Sequence, residues 1–278
     1  VKSKKANKAV GQVIIYVLLI FLAIMMLVPF VWMISASLKF NKDVFVIPFE
    51  WIPKAPRWQN YIDIWTKIPL AKFTLNTAKL TLIVTCLQLL TSSFAAYAFA
   101  KLEFKGRDLL FLAYVATIAV PWQVYMVPQF MFMRSLGLAD THLAIIILQA
   151  FSAFGVFLMR QFYEGIPDSL CEAARIDGMT EYGIYSKIML PLSKPALSTL
   201  IIFTFVNTWN DFLGPLIYLT TESKKTLQIG LKMFISQYSA EYGLIMAASV
   251  LSLIPVFIVF ISLQKYFVAG ITTGAVKG

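Results

Sequence analysis

Six long apolar runs, almost free of charge, constrain this chain more than any other feature. They cover residues 13–34, 73–100, 109–133, 143–159, 196–219 and 244–263. About 20 residues of helix cross the hydrocarbon of a bilayer. None of the runs alternates polar and apolar residues with period two, so barrel strands are excluded. A helix satisfies its own backbone N–H and C=O groups where no water can, which leaves helices as the spanning structure. The expected fold class is all-α: a membrane protein of six transmembrane helices in one transmembrane domain over residues 1–278. Pro121 and Pro128 interrupt the third run and Pro255 the sixth, which predicts kinks or breaks there. Composition agrees. Of the 278 residues, 59% are hydrophobic and 14% charged, whereas a soluble domain carries about 25% charged residues.

The formal net charge is +10. In a soluble chain that value would suggest nucleic acid. Here the basic residues sit in short segments between apolar runs, so no nucleic-acid partner is expected. They read as topology signals and contacts to anionic membrane lipid. Lys2, Lys4, Lys5 and Lys8 precede the first run, and Lys101, Lys105 and Arg107 follow the second. Arg160, Arg175, Lys187 and Lys194 follow the fourth, and Lys265 and Lys277 the sixth. With six spans these segments share one side. The positive-inside rule makes that side cytoplasmic, so both termini are expected inside. The basic start also resembles a secretory leader, with Ser35, Ala36 and Ser37 where a cleavage site would lie. The first run exceeds the ~7–15 residues of a leader's apolar core, which favours an uncleaved span. The outer loop, 35–72, holds Pro48, Pro53, Pro56 and Pro69 together with Phe49, Trp51, Trp58, Tyr61 and Trp65. Such rings suit a membrane–water interface, and the segment reads as a folded loop with interfacial helices.

Little in the chain points to covalent chemistry. Cys86 reads as a small buried hydrophobe, Cys171 lies in a polar loop, and neither stands at ligand or disulfide spacing. His142 is the single histidine, which cannot build a metal site or a proton relay alone. The chain has no P-loop, no His-Glu-x-x-His and no Gly-x-Ser-x-Gly run. It is therefore not expected to be an enzyme, and no cofactor or metal is expected in it. If ATP supplies energy, another chain must hold it.

Segment 160–195 is too ordered for a mere connection. Ser169 and Glu172 stand at capping-box spacing, which predicts a helix over 170–176. Gly178 can supply the left-handed conformation that ends it. Thr180 can cap a second helix over 181–189, which Pro191 ends. Local rules thus give helix, glycine turn, helix outside the membrane. Such a hairpin could dock a cytoplasmic partner, or Glu172 could serve only as a cap.

The same segment carries Glu172, Ala173 and Ala174, then Gly178, then Ile188, Leu190 and Pro191. This spacing is similar to the EAA motif of permease subunits in binding-protein-dependent ABC importers. The stretch Ala174, Arg175, Ile176, Asp177, Gly178, the residues 209–213 with Pro215, and the C-terminal 265–278 resemble the carbohydrate-uptake subgroup. Within it the chain resembles the second, six-span permease of maltose-type transporters. Met179 and Thr180 depart from the small residues more usual after the glycine. The resemblance implies a multi-pass protein of the bacterial cytoplasmic (inner) membrane. It implies a second homologous permease, two ATP-binding subunits that hold ATP and Mg, and an extracytoplasmic solute-binding protein as partners. The hairpin would be the coupling helix that fits a cleft on the ATPase, with Glu172, Ala173, Ala174, Asp177, Gly178, Ile188, Leu190 and Pro191 as its residues.

For a di- or oligosaccharide, Asn207, Trp209, Asn210 and Asp211 supply the amide, aromatic and carboxylate groups of a translocation path. A carboxylate at mid-bilayer costs roughly 2.5–3.5 kcal/mol and usually faces water or a partner helix. Interhelical hydrogen bonding is the alternative role for these residues. Gln123 and Gln129, beside the prolines of the third run, could line the same path. The alternative function is a stand-alone secondary transporter. It would need several ionisable groups at mid-membrane, where Asp211 is the one candidate.

Overall fold

The structure, a computed structural model, describes the backbone of residues 2–235 and 240–275 and the side chains of 11–235 and 240–266. The side chains of Lys2, Lys4, Lys5 and Lys8, Lys277, and much of the C-terminal stretch 265–278 lie outside the described residues. Among the described residues the chain is helical throughout, with one isolated bridge between Ile235 and Ala240. Helix α1 covers Lys2–Ser37, α2 Asn60–Lys67 and α3 Leu70–Lys101. Helix α4 covers Arg107–Ala116, α5 Trp122–Ser135, α6 His142–Gln149 and α7 Ala153–Glu164. Then come α8 (Asp168–Ile176), α9 (Glu181–Ile184), a π-helical turn over Tyr185–Met189 and α10 (Leu190–Leu192). The last are α11 (Lys194–Trp209), α12 (Leu213–Tyr218), α13 (Leu227–Met233) and α14 (Tyr242–Ala275).

Among the described residues, four helical segments are long and apolar enough to cross a membrane: Gly11–Ser37, Leu70–Lys101, His142–Glu164 and Tyr242–Tyr266. Two bent pairs raise the number to six if each pair is one span. The first pair, Arg107–Ala119 and Trp122–Ser135, meets at 100°. Val120, ahead of Pro121, is extended at φ −90° and ψ 109°, as the ring of a following proline demands. The run 109–133 is thus broken at right angles rather than kinked. The second pair joins Glu181–Leu192 to Lys194–Trp209 at 77°. Helix α11 stops at Trp209, so the apolar run 196–219 is not one helix. Residues 210–212 are irregular before α12 resumes. Helix α7 reaches Glu164, so Arg160 belongs to a helix and the connecting segment starts later than expected.

The chain divides into two units. One comprises Val1–Leu70 and Leu231–Leu253. Here Asn60 on α2, 2% exposed, donates to the carbonyls of Ser37 (2.8 Å) and Lys39 (2.9 Å). Ser37 Oγ shares a 2.7 Å bond with Tyr61 Oη. The Asn41 side chain donates to Ala240 O and accepts from Tyr242 N (2.8 and 2.7 Å). These bonds hold the segment after α1 to the start of α14. The most apolar 18-residue window of α1 is 0% buried within the chain.

The other unit comprises Ala71–Gly230 and Ile254–Gly278. Its largest apolar cluster joins Tyr97 of α3, Phe111 of α4, Met159 and Tyr163 of α7 and Leu200 of α11 to Cys171, Ala174, Ile184 and Met189. Cys86, expected in the core, is exposed on α3, whereas Cys171, expected in a polar loop, is buried. Hydropathy cannot separate the two positions, because a lipid-facing side chain is as apolar as a packed one.

Candidate functional site

Two places in the second unit gather the residues singled out from sequence. The first is the hairpin formed by α8 and α9. Helix α8 starts at Asp168, after an extended Pro167, and no side chain caps it. Ser169 lies inside the helix, so the expected capping box with Glu172 does not form. Asp168 takes its place in electrostatic terms, as an acid in the first turn that favours the positive end of the helix dipole. Lys101, at the end of α3, is the reason for the earlier start. Its side chain is 3% exposed, and Nζ donates to Ile166 O (2.6 Å) and to Asp168 Oδ1 (2.5 Å). Lys101 therefore fastens the entry of the hairpin, a role its sequence context did not reveal. It also holds the Asp168 carboxyl below its ordinary value.

The turn at Gly178 is a Schellman motif. Gly178 has φ +79°. Its N–H donates to Arg175 O (3.0 Å), and Met179 N–H to Ala174 O (2.9 Å), which satisfies the last carbonyls of α8. Thr180 Oγ1 then accepts from Gly183 N (3.2 Å) and caps α9, as its position predicts. The second hairpin helix does not end before Pro191. A π-helical turn over Tyr185–Met189 inserts one extra residue, and the helix continues to Leu192. The wider turn accommodates Pro191, which lacks the N–H that a regular turn would need. The two helices of the hairpin are tied by Arg175, whose Nε donates to Glu181 Oε1 (2.7 Å). Tyr97 Oη of α3 donates to Glu181 Oε2 (2.5 Å). These bonds, Arg175 first, hold the Glu181 carboxyl below its ordinary value.

The hairpin has two unlike faces. Cys171, Ala174, Ile184 and Met189 are buried in the core described above, and Ile188 and Leu190 pack against it. Glu172, Ala173, Asp177, Gly178 and Pro191 are exposed. Of the two alanines in the motif, Ala173 is thus exposed and Ala174 buried. Two large apolar side chains missed from sequence also point outward, Ile176 at 86% and Tyr182 at 68% exposure. Helical period was the available signal: Ile176 lies four residues from Glu172, on the same face.

The second place is a cavity of about 800 Å3. Its polar lining includes Gln88, Gln129, Gln149, Thr204, Asn207 and Asp211, and Trp122, Tyr125, Phe154 and Phe203 give it aromatic walls. The polar groups form a chain. Thr204 Oγ1 donates to Gln88 Oε1 (2.9 Å), Gln88 Nε2 to Gln149 O (2.7 Å), and Gln149 Nε2 to Asp211 Oδ2 (2.7 Å). Asp211 Oδ1 accepts from Gly214 N (3.1 Å). Three helix breaks contribute to the lining: Trp122 follows the break at Pro121, Gln149 and Ser152 flank that between α6 and α7, and Asp211 lies in that between α11 and α12. Irregular backbone at membrane depth persists where it is buried in protein or lines a water-filled space.

Asn207 and Asp211 line this cavity. Trp209 and Asn210 are outside its lining. Trp209 is 3% exposed and stacks on Phe205, with centroids 5.6 Å apart and planes at 9°. The Asn210 side chain donates back to Val206 O (3.0 Å) and accepts from Gln228 Nε2 (3.2 Å). Four residues bring a helix back to the same face, which groups 207 with 211 and turns 209 away. Gln129 lines the cavity and accepts from Trp122 Nε1 (2.8 Å), while Gln123 is outside the lining. Among the described residues no group of His, Cys, Asp and Glu could hold a metal ion.

Comparison with known proteins places this architecture. The arabinooligosaccharides transport system permease protein AraQ of Halalkalibacterium halodurans is 37% identical over 261 residues, 93% of this chain and 94% of that protein. The lactose transport system permease protein LacG of Rhizobium radiobacter is 31% identical over 98% of each chain. A chain in the crystal structure of a bacterial ABC transporter involved in the import of the acidic polysaccharide alginate superposes with a TM-score of 0.82 and 28% identity. That match covers 94% of this chain and 98% of that one. With residues 88–273 matching the binding-protein-dependent transport system inner membrane component family, the chain belongs to that family, the permease components of ABC transporters.

Proposed function

We propose that this chain is one transmembrane permease subunit of an ATP-driven, binding-protein-dependent importer of the bacterial inner membrane. It forms half of the path for a di- or oligosaccharide. It lies with both termini and the 165–192 hairpin on the cytoplasmic side, where Lys101, Lys105 and Arg107 also fall. A second permease completes the path, an extracytoplasmic solute-binding protein delivers cargo, and two ATP-binding subunits hold ATP and Mg. The observation that carries this reading is the hairpin. Its inner face is fused to the helix core, while Glu172, Ala173, Ile176 and Gly178 project outward. A rigid element with an exposed, partly apolar tip passes a push on its tip into α3, α7 and α11. The cavity supports the path: amide and carboxylate groups bind sugar hydroxyls, and aromatic walls meet the apolar faces of sugar rings. The named relatives span lactose, a neutral sugar, and alginate, an acidic polysaccharide, so membership alone leaves the charge of the cargo open.

The test is a gentle solubilisation of the tagged chain from its own host. Recovery with a second permease and an ATP-binding subunit is expected, with the latter lost on changing Gly178 to a bulky residue. A chain recovered alone that still carries solute in vesicles without ATP would instead be a secondary transporter.

A further inference from the structure

The charge of the cavity is one-sided. Asp211 is the single carboxylate among its described lining residues, and Lys, Arg and His are absent from them. The carboxylate is fixed rather than mobile. Gln149 Nε2 and Gly214 N, both donors, hold one oxygen each (2.7 and 3.1 Å). A Cβ built on Gly214 would stand 2.5 Å from Asp211 Oδ2, so the residue there must be the smallest one for the carboxylate to lie against α12. Asn207, at helical spacing from Asp211, presents an amide to the same space.

We infer that Asp211 makes this half of the path select against anionic saccharides, so that the cargo is a neutral sugar, with Gln149 and Gly214 as positioning residues that hold the carboxylate in place. The inference rests on the path reading above. A neutral sugar donates hydroxyl protons to Asp211 and exchanges hydrogen bonds with the Gln149 and Asn207 amides. A uronate brings its own carboxylate toward Asp211 with no cation in this lining to offset it. The aromatic and aliphatic walls screen that repulsion less than bulk solvent does.

The experiment reads the field of the cavity directly, on the assembled importer in membranes. Asn207→Cys, in a Cys86→Ser background, is modified with cationic and anionic methanethiosulfonates of matched size. The ratio of the two rates is divided by the same ratio for a free thiol. The corrected ratio is expected on the order of tenfold in favour of the cation. It should fall toward one in Asp211→Asn, persist in Asp211→Glu, and shrink as salt is raised. The salt series needs no second substitution, so it decides the matter even if Asp211→Asn fails to assemble. A ratio near one at low salt, or one that Asp211→Asn leaves unchanged, overturns the inference. So does ATP-driven uptake of galacturonotriose at a rate matching that of arabinotriose. ATP-driven uptake of no saccharide at all overturns the functional reading underneath, whatever the labelling ratio.

Discussion

Replacing Gly178 separates two demands that fall on one position. The first is conformational. At φ +79° a side chain is strained, but no atom lies within 4 Å of where its Cβ would stand. Within the chain the cost is therefore the left-handed penalty alone, about 1–2 kcal/mol for alanine, or roughly a 5- to 30-fold rise in opening of the turn. Asparagine tolerates this region better and should cost less. The second demand is spatial. If the turn sits in a cleft of an ATP-binding subunit, every added atom intrudes on the partner, and asparagine is worse than alanine. The two demands thus rank the same pair of variants in opposite order. Hydrogen exchange at the Gly178 and Met179 amides should rank the local fold as wild type, then Gly178→Asn, then Gly178→Ala. Cargo-stimulated ATP hydrolysis by the reconstituted importer should rank activity as wild type, then Gly178→Ala, then Gly178→Asn, with Gly178→Phe abolishing it. An activity order that follows hydrogen exchange would refute the docking of the turn and leave Gly178 as a helix terminator only.

Three further outcomes follow from packing and charge. Gly155→Ala should destabilise the solubilised protein by about 1–3 kcal/mol, read as a lower melting temperature, because its Cβ would stand 2.4 Å from Ser92 Oγ and 3.2 Å from Leu200 Cδ1. Adding Ser92→Ala should recover part of the loss, and no recovery would mean that α3 is not the obstructing neighbour. Glu181 is held below its ordinary carboxyl value in the folded hairpin, by Arg175 foremost. Its contribution is thus complete above the unfolded value of about 4.3 and fades as pH falls through the lowered one. Hydrogen-exchange protection of the hairpin should be flat from pH 8 to about 5 and fall at lower pH. In Arg175→Gln it should already be reduced at pH 7, though by under about 1 kcal/mol, since the pair is partly exposed. Asp140 takes a left-handed φ of +55° and accepts from Thr220 N, Thr221 N, Thr221 Oγ1 and Lys224 Nζ. Asp140→Ala should therefore expose the 219–225 segment to proteolysis, and Asp140→Asn less so; equal cleavage of both would point to the charge as the essential feature.

The helices were legible because a run of apolar residues long enough to cross a bilayer has few other uses. The break at Pro121 was legible for the same kind of reason, a local rule about one residue. The break between α6 and α7 was not, since no proline or glycine marks residues 150–152. Its exposed carbonyls are met from elsewhere in the chain, Gln149 O by Gln88 Nε2 and Ala150 O by Thr91 Oγ1 (2.7 and 2.8 Å). Asn210 to Phe212 form a second such case, since Asp211 is held there by Gln149, far away in sequence. The turn at Gly178 and the cap at Thr180 are local and were read correctly, whereas the start of α8 depends on Lys101 and was not. Lys101 shows the limit most plainly: a lysine between two apolar runs signals topology, and only the packed structure reveals a buried clamp.

Helix α1 carries a different consequence. Its stretch Gly11–Ser37 holds 27 residues, roughly 40 Å of helix, more than the ~30 Å of hydrocarbon it must cross. Yet none of its most apolar window is buried among the described residues. Shape therefore imposes no requirement on those side chains from within; partitioning into lipid does. Leucine, isoleucine, valine, methionine and phenylalanine should trade places freely along residues 13–31, singly and in groups. The same exchanges at Met159 or Ile184, both fully enclosed, should be filtered out. A saturation-mutagenesis map should thus show, over residues 13–31, a long tract that tolerates any greasy residue and rejects only charge, in contrast to enclosed positions that each admit one or two.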